Sequence, residues 1–268
     1  MSAQQPEKPI ADVVAQLRAL GVEAGQVLLV HTSFRAVRPI EGGPLGLIEA
    51  LSRAVGSRGT LVMPSWTDDD DAPFDPATTP ASEDLGIVPG MFWQCPDVRR
   101  GTHPFAFAAR GPKAAAILSD GFVVPPHQHA SPVGKVWDRD GRILLLGVDH
   151  DANTTLHLAE LLAGVPYGVP KHITVLRDGR PTRVDYREND HCCQRFRLAG
   201  DWLDESGLQS EGLVGHAPAK LMRSRDVVDV AVGRLERNPV AFLHSRDVGC
   251  EECDEAWNSI ATASTATP

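Results

Sequence analysis

One stretch constrains the fold more than any other: Leu144-Leu-Leu-Gly-Val-Asp-His-Asp-Ala-Asn-Thr-Thr-Leu-His-Leu-Ala-Glu160. The apolar run Ile143–Leu146 reads as a buried strand. Gly147 ends it, and Asp149, Asp151 and Asn153 are turn or helix-cap residues. From Thr154 the spacing predicts a helix with Leu156, Leu161 and Leu162 on a shared face. A strand that feeds a helix places the intervening polar loop at its carboxyl end, where open α/β sheets build their sites. His157 lies about one turn into the helix, with Asn153 and Glu160 on neighbouring positions of one face. The spacing leaves two readings open. One is a core histidine satisfied by Asn153 or Glu160; the other is a catalytic imidazole.

The rest of the chain repeats the alternation. Ala11–Leu20 predicts a helix through Val13, Val14, Leu17 and Leu20, stopped by Gly21. Val27–Val30 reads as a central strand running into the loop His31–Arg38. Gly42-Gly43 then precede a helix with Pro44 in its first turn and Leu47, Ile48, Leu51 and Val55 along its length. The free N–H groups at such a helix start suit a phosphate or pantetheine, and a plain turn fits equally. Thr60–Met63 is another strand, followed by the carboxylate run Asp68–Asp71 and a long loop over 72–90 that reads as a lid or binding loop. A short helix falls over Pro112–Leu118. Asp178-Gly179 between Ile173–Leu176 and Thr182–Tyr186 signals a β-hairpin, and Asp226–Leu235 a further helix. The expected fold class is α/β: one domain over 10–257, a central mixed sheet flanked by helices, with disordered ends at 1–9 and 258–268.

Charge and cysteine usage narrow the function. A net charge of −9 without a Lys/Arg cluster argues against nucleic acid and mildly favours a cationic ligand. No apolar run approaches the roughly 20 residues of a membrane span, and the N-terminus lacks a signal-peptide core. The chain is therefore expected in the cytoplasm, as a monomer or homodimer, with its five cysteines reduced or bound to metal. Cys192, Cys193, Cys250 and Cys253 could supply four thiols to a structural zinc, although neighbours on an extended strand point to opposite sides. Buried reduced thiols are the alternative. Glu188 and Asp190 alternate, so on an extended strand their carboxylates face one side; a polycation would relieve their repulsion, while a solvent-facing edge strand also fits. No Gly-x-Ser-x-Gly elbow is present.

Five motifs in order resemble the aminoglycoside 3-N-acetyltransferases: Val27-Leu-Leu-Val-His-Thr-Ser-Phe-Arg-Ala-Val, Gly59-Thr-Leu-Val-Met-Pro-Ser-Trp, Thr102-His-Pro-Phe-Ala-Phe-Ala, Ser131-Pro-Val and Leu144–Glu160. The similarity runs from about Ile10 to Trp257 and is strongest to the subgroup associated with apramycin and gentamicin. It implies an α/β acetyltransferase fold distinct from the common N-acetyltransferase superfamily, and acetyl-CoA as cosubstrate. It makes His157 the base that deprotonates the 3-amino group of a 2-deoxystreptamine ring for direct attack on the thioester, with Thr155 a candidate on the thioester side. It places the cofactor against Thr32, Ser33, Phe34, Arg35, Ala36, Val37, His103, Phe105, Ser131, Val133 and Gly134. Asp70, Glu188 and Asp190 match positions that receive ammonium groups. Two positions depart from the pattern: Thr32-Ser33, where Ser-Ser is common, and Asp149, where glycine is common. The rival readings are an acetyltransferase for another cationic amine, and a metal-dependent amidohydrolase using His150, His157 and Glu160.

Overall fold

The computed structural model describes residues 5–119 and 121–264. Its strands are β1 (Val27–Thr32), β2 (Thr60–Pro64), β3 (Arg99–Arg100), β4 (Phe107–Arg110), β5 (Arg142–Leu146), β6 (Val169–Arg177), β7 (Arg180–Glu188), β8 (Gln209–Val214) and β9 (Ala217–Arg223). Seven of them form one sheet in the order β3-β4-β2-β1-β5-β9-β8, and β6 and β7 form a separate hairpin. The β2-β1-β5 centre is parallel and both flanks are antiparallel, so the sheet is mixed as expected.

The helices are α1 (Ile10–Leu20), α2 (Phe34–Val37), α3 (Gly43–Val55), α4 (Ile87–Phe92), α5 (Ala114–Ile117), α6 (Pro132–Asp138), α7 (Thr155–Ala163), α8 (Leu198–Glu205), α9 (Ser224–Leu235) and α10 (Glu251–Ser264). Continuous apolar runs become strands buried on both faces, because alternate side chains enter opposite layers. Val27, Leu29, Ile143 and Leu145 pack in one layer with apolar residues of α6, α7 and α9. Leu28, Val30, Leu144 and Leu146 pack in the other with α1, α3 and α4. The chain leaves β1 for β2 on one side and later returns with β5 on the other. The carboxyl ends of these strands therefore open onto a crevice where connections diverge, the usual ligand position in open α/β sheets.

Several expectations need correction. Leu162 is 45% exposed, because α7 stops at Ala163 and turns away through Gly164, leaving its last turn uncovered. The loop over 72–90 contains a 3-10 turn at Glu83–Leu85 and the start of α4. α8 and the β8/β9 hairpin were not foreseen. α10 continues past Trp257, so residues 258–264 are helical rather than a disordered tail, while 265–268 lie outside the described residues. At the other end, Lys8 pairs with Ile40, so the expected disordered segment 1–9 is anchored there; residues 1–4 lie outside the described residues. Gly42 and Gly43 take left-handed φ values of 71° and 61° in a tight turn that seats α3 on Glu41. They do not line the cleft that holds His31 and His157, which favours the plain-turn reading.

The Ser131-Pro-Val-Gly134 motif has a local structural cause. The Ser131 hydroxyl accepts the Gly134 N–H at the start of α6. A Cβ at Gly134 would lie 2.0 Å from the His129 carbonyl oxygen, whereas one at Gly90 meets nothing within 4 Å. Gly134→Ala should therefore cost about 1–3 kcal/mol through forced backbone movement. Gly90→Ala, in a helix interior, should be neutral or stabilising by about 0.5–1 kcal/mol. Urea midpoints of both variants check the contrast.

Candidate active site

The loop after β5 is built to present one helix. Gly147 has φ 68°, and a Cβ there would come within 2.8 Å of Ala36, so the turn packs directly on α2. Asp149, unusual by the family pattern, accepts the His150 N–H and pairs with Lys220 of β9 at 2.8 Å. It ties the loop down. Asn153 receives the Thr155 N–H on its side-chain oxygen and contacts His150, so it caps α7 rather than serving His157. His150 is fully buried and bonds Gln209 at 2.8 Å.

His157 follows one turn later. Its Nδ1 lies 3.0 Å from Glu160 Oε2. Glu160 has no exposed surface; its Oε1 accepts from His191 Nε2 at 2.8 Å and from the Tyr167 hydroxyl. The His191 tautomer is fixed by its other nitrogen, which accepts the Cys193 N–H at 3.0 Å. Burial raises the Glu160 pKa, but the flanking histidines outweigh it and keep the carboxylate below its ordinary value. Glu160 is the hub of the site.

The other nitrogen of His157, Nε2, lies 3.6 Å from Cys193 Sγ. Cys193 sits at φ 57°, a left-handed conformation uncommon outside glycine. Burial works against a charge on His157, yet the Cys193 sulfur and Glu160 together hold its pKa well above the ordinary histidine value. Phe196 meets the imidazole edge-on at 4.9 Å, and His127 stacks on it at 5.2 Å. Neither His127 nitrogen has a hydrogen-bond partner, and burial keeps that ring's pKa well below the usual value. Burial likewise takes His31 down to about 4, so two neutral rings stand beside the raised His157.

His157 and Cys193 line a cleft of about 290 Å³ with His31, Thr32, Trp66 and Thr154. The Thr32 hydroxyl has no partner, and Thr154 Oγ1 lies 3.4 Å from His31 Nε2. Thr155 is not among the lining residues; it is buried with its own hydroxyl unpartnered, and Thr154 takes the cleft position. Among the expected cofactor residues, Val37 is wholly buried in the second core layer and Val133 in the first. Phe34 packs against the second layer, while Arg35 and Ala36 are exposed on α2 and Ser33 precedes it. His103 spends both ring nitrogens on backbone groups of Val123 and Phe105. With Phe105 and Ser131 it lines a small recess beside His127.

The acidic residues gather on the hairpin side. Glu188 ends β7 and joins His157 along a narrow gap beside Pro125, Pro126 and Leu161. Burial, with Asp190 nearby, lifts its pKa to about 7 against the pull of His157 and Lys171. Asp190 lies beyond the strand and is ion-paired with Lys171, so the two carboxylates do not share a strand face. The Tyr186 hydroxyl donates to Glu188 Oε2 at 3.3 Å, and burial with the negative charge of Glu188, Asp70 and Asp190 raises the Tyr186 pKa.

The thiol expectation is corrected. Cys192, Cys250 and Cys253 bring their sulfurs within 4.8 Å of one another, while Cys193 turns to His157. Glu160 is taken up by His157, His191 and Tyr167, and His150 by Gln209, so the structure gives the amidohydrolase trio no support. The resemblance put the loop that begins at His31 on the cofactor side, and sequence reasoning missed the site roles of His127, Tyr167, His191 and Cys193. Their contacts with α7 span up to 36 positions, and only the Cys192-Cys193 pair carried a local signal. Among the described residues no helix is long and apolar enough to cross a membrane.

Comparison with known proteins agrees with this geometry. The family profile described as aminoglycoside 3-N-acetyltransferase matches residues 29–236. The aminoglycoside N(3)-acetyltransferase IV of Salmonella is 62% identical over 239 residues, covering 89% of this chain and 92% of the relative. A histidine-to-alanine variant of the acetyltransferase AAC(3)-IVa in complex with a gentamicin superposes with a TM-score of 0.95 at 61% identity, covering 97% and 100% of the two chains. A complex of the same enzyme with apramycin gives 0.89 at 59% identity, covering 94% and 100%. The chain is an acetyltransferase and belongs to the aminoglycoside 3-N-acetyltransferase family.

Proposed function

We propose that this protein acetylates the 3-amino group of the 2-deoxystreptamine ring of aminoglycosides, using acetyl-CoA, and so confers resistance to them. The observation that carries the reading is the buried Glu160 bond to His157 Nδ1, which leaves Nε2 as the basic nitrogen at the cleft. The amine nitrogen attacks the thioester carbonyl directly, and the N–C bond forms as the C–S bond breaks. His157 Nε2 takes the amine proton, and the leaving CoA thiolate is protonated in turn. Thr32, with its unpartnered hydroxyl, and Thr154 are the polar groups available to the acetyl donor in the cleft.

The substrate is a polycation, and the site's charges suit one. Asp70, Glu188 and Asp190 receive its ammonium groups, with Lys171 giving up Asp190 as the drug binds. An ammonium arriving beside His157 disfavours the imidazolium and releases the neutral base when the acceptor is in place. An acetyltransferase for another cationic amine would use the same carboxylates, and the gentamicin and apramycin complexes of the relative favour aminoglycosides. Free cysteines suit a reducing cytoplasm, where we place the reaction.

His157→Ala should lower CoA-thiol release with gentamicin or apramycin by about a hundredfold to ten-thousandfold, the range of a general base. Equal turnover in variant and wild type would contradict the assignment. Glu188 gives a second expectation. Its raised pKa leaves a large neutral fraction near neutrality, and ammonium binding demands the charged form. The KM for the drug should therefore fall as pH rises from roughly 6 to 7.5 while the KM for acetyl-CoA stays level. Steady-state kinetics on Glu188→Gln should show a higher drug KM without that pH dependence.

A further inference from the structure

Cys193 faces His157, and of the four other cysteines three gather away from the cleft. Cys192 lies on the loop that follows β7, and Cys250 and Cys253 are a Cys-x-x-Cys pair at the start of α10. Their sulfurs lie within 4.8 Å of one another, and the Cys192–Cys253 pair is 3.7 Å apart. A disulfide would need about 2.05 Å. Two thiolates about 2.3 Å from one tetrahedral zinc ion lie about 3.8 Å apart, close to the spacing present.

The backbone around the thiols supplies a second, independent observation. The His244 N–H donates to Cys253 Sγ at 3.4 Å. An amide donating to a sulfur is the kind of contact that supports a metal-bound thiolate. Cys250 also stands at the positive end of the α10 dipole. No fourth His, Cys, Asp or Glu among the described residues joins the group at the same spacing.

We infer that Cys192, Cys250 and Cys253 are the three protein ligands of a structural zinc ion, with solvent in the fourth position. The ion would tie α10 to the loop that finishes the active site. Cys192 stands between His191, which holds Glu160, and Cys193, which contacts His157. The inference does not depend on which amine the enzyme acetylates, because its readout is metal content.

Full-length protein produced in zinc-replete medium should carry about one zinc per chain by elemental analysis. Cys193→Ser should retain that metal, while Cys250→Ser and Cys253→Ser should lose most of it with far-UV circular dichroism unchanged. Cobalt(II) in place of zinc should give a sulfur-to-cobalt charge-transfer band in wild type, a result that stands even if a cysteine variant fails to fold. Wild-type protein that holds no zinc and gives no such band would overturn the inference. So would loss of zinc from Cys193→Ser equal to that from Cys250→Ser.

Discussion

A carboxylate with no exposed surface is costly unless both oxygens find donors, and Glu160 meets that condition through His157, His191 and Tyr167. Those donors come from three places: α7 itself, the segment before β6 and the loop after β7. The buried charge therefore does more than polarise one imidazole. It draws two distant segments onto α7, and with them Cys193, the residue that meets the outer nitrogen of His157. Removing any one donor would leave a buried charge short of partners, a loss of about 3–5 kcal/mol where an ion pair is broken.

The same arrangement separates the tasks of neighbouring groups by environment alone. His127 is stacked on His157 in an aromatic setting that keeps it neutral, and Trp66, Phe105 and Phe107 surround it edge-on. His157, a ring's width away, is held towards the charged form by Cys193 and Glu160. Glu188 is lifted towards neutrality by burial, while Glu160, equally enclosed, stays ionised because its partners are hydrogen-bonded cations or donors. A site poised this way responds to a cation by releasing protons, from Glu188, which becomes charged, and from His157, which becomes neutral.

Much of this was legible in the sequence because it is local. The runs Val27–Val30, Thr60–Met63 and Ile143–Leu146 became buried strands, and Asp178-Gly179 turned the hairpin. His157 and Glu160 were readable as a pair because a helix places positions three apart on one face. Asn153 sat at an equally suitable spacing and became a cap, since the end of a helix claims a polar side chain first. What depends on tertiary approach was not legible. Nothing near Cys193 in the chain distinguishes it from Cys192, and only the left-handed turn at Cys193 sends one thiol to His157 and leaves the other with Cys250 and Cys253. The α8 segment and the β8/β9 hairpin lacked a clean period, as half-exposed elements with mixed burial do.

The central claim is that Glu160 holds the Nδ1 proton of His157 so that Nε2 is the base. Nitrogen-15 NMR of histidine-labelled protein across a pH titration tests it most directly. The account predicts a neutral His157 with the proton on Nδ1, and a pKa above the usual value of about 6.5 that falls in Cys193→Ser. A neutral ring protonated on Nε2, or a pKa unmoved by loss of the Cys193 thiol, would contradict it.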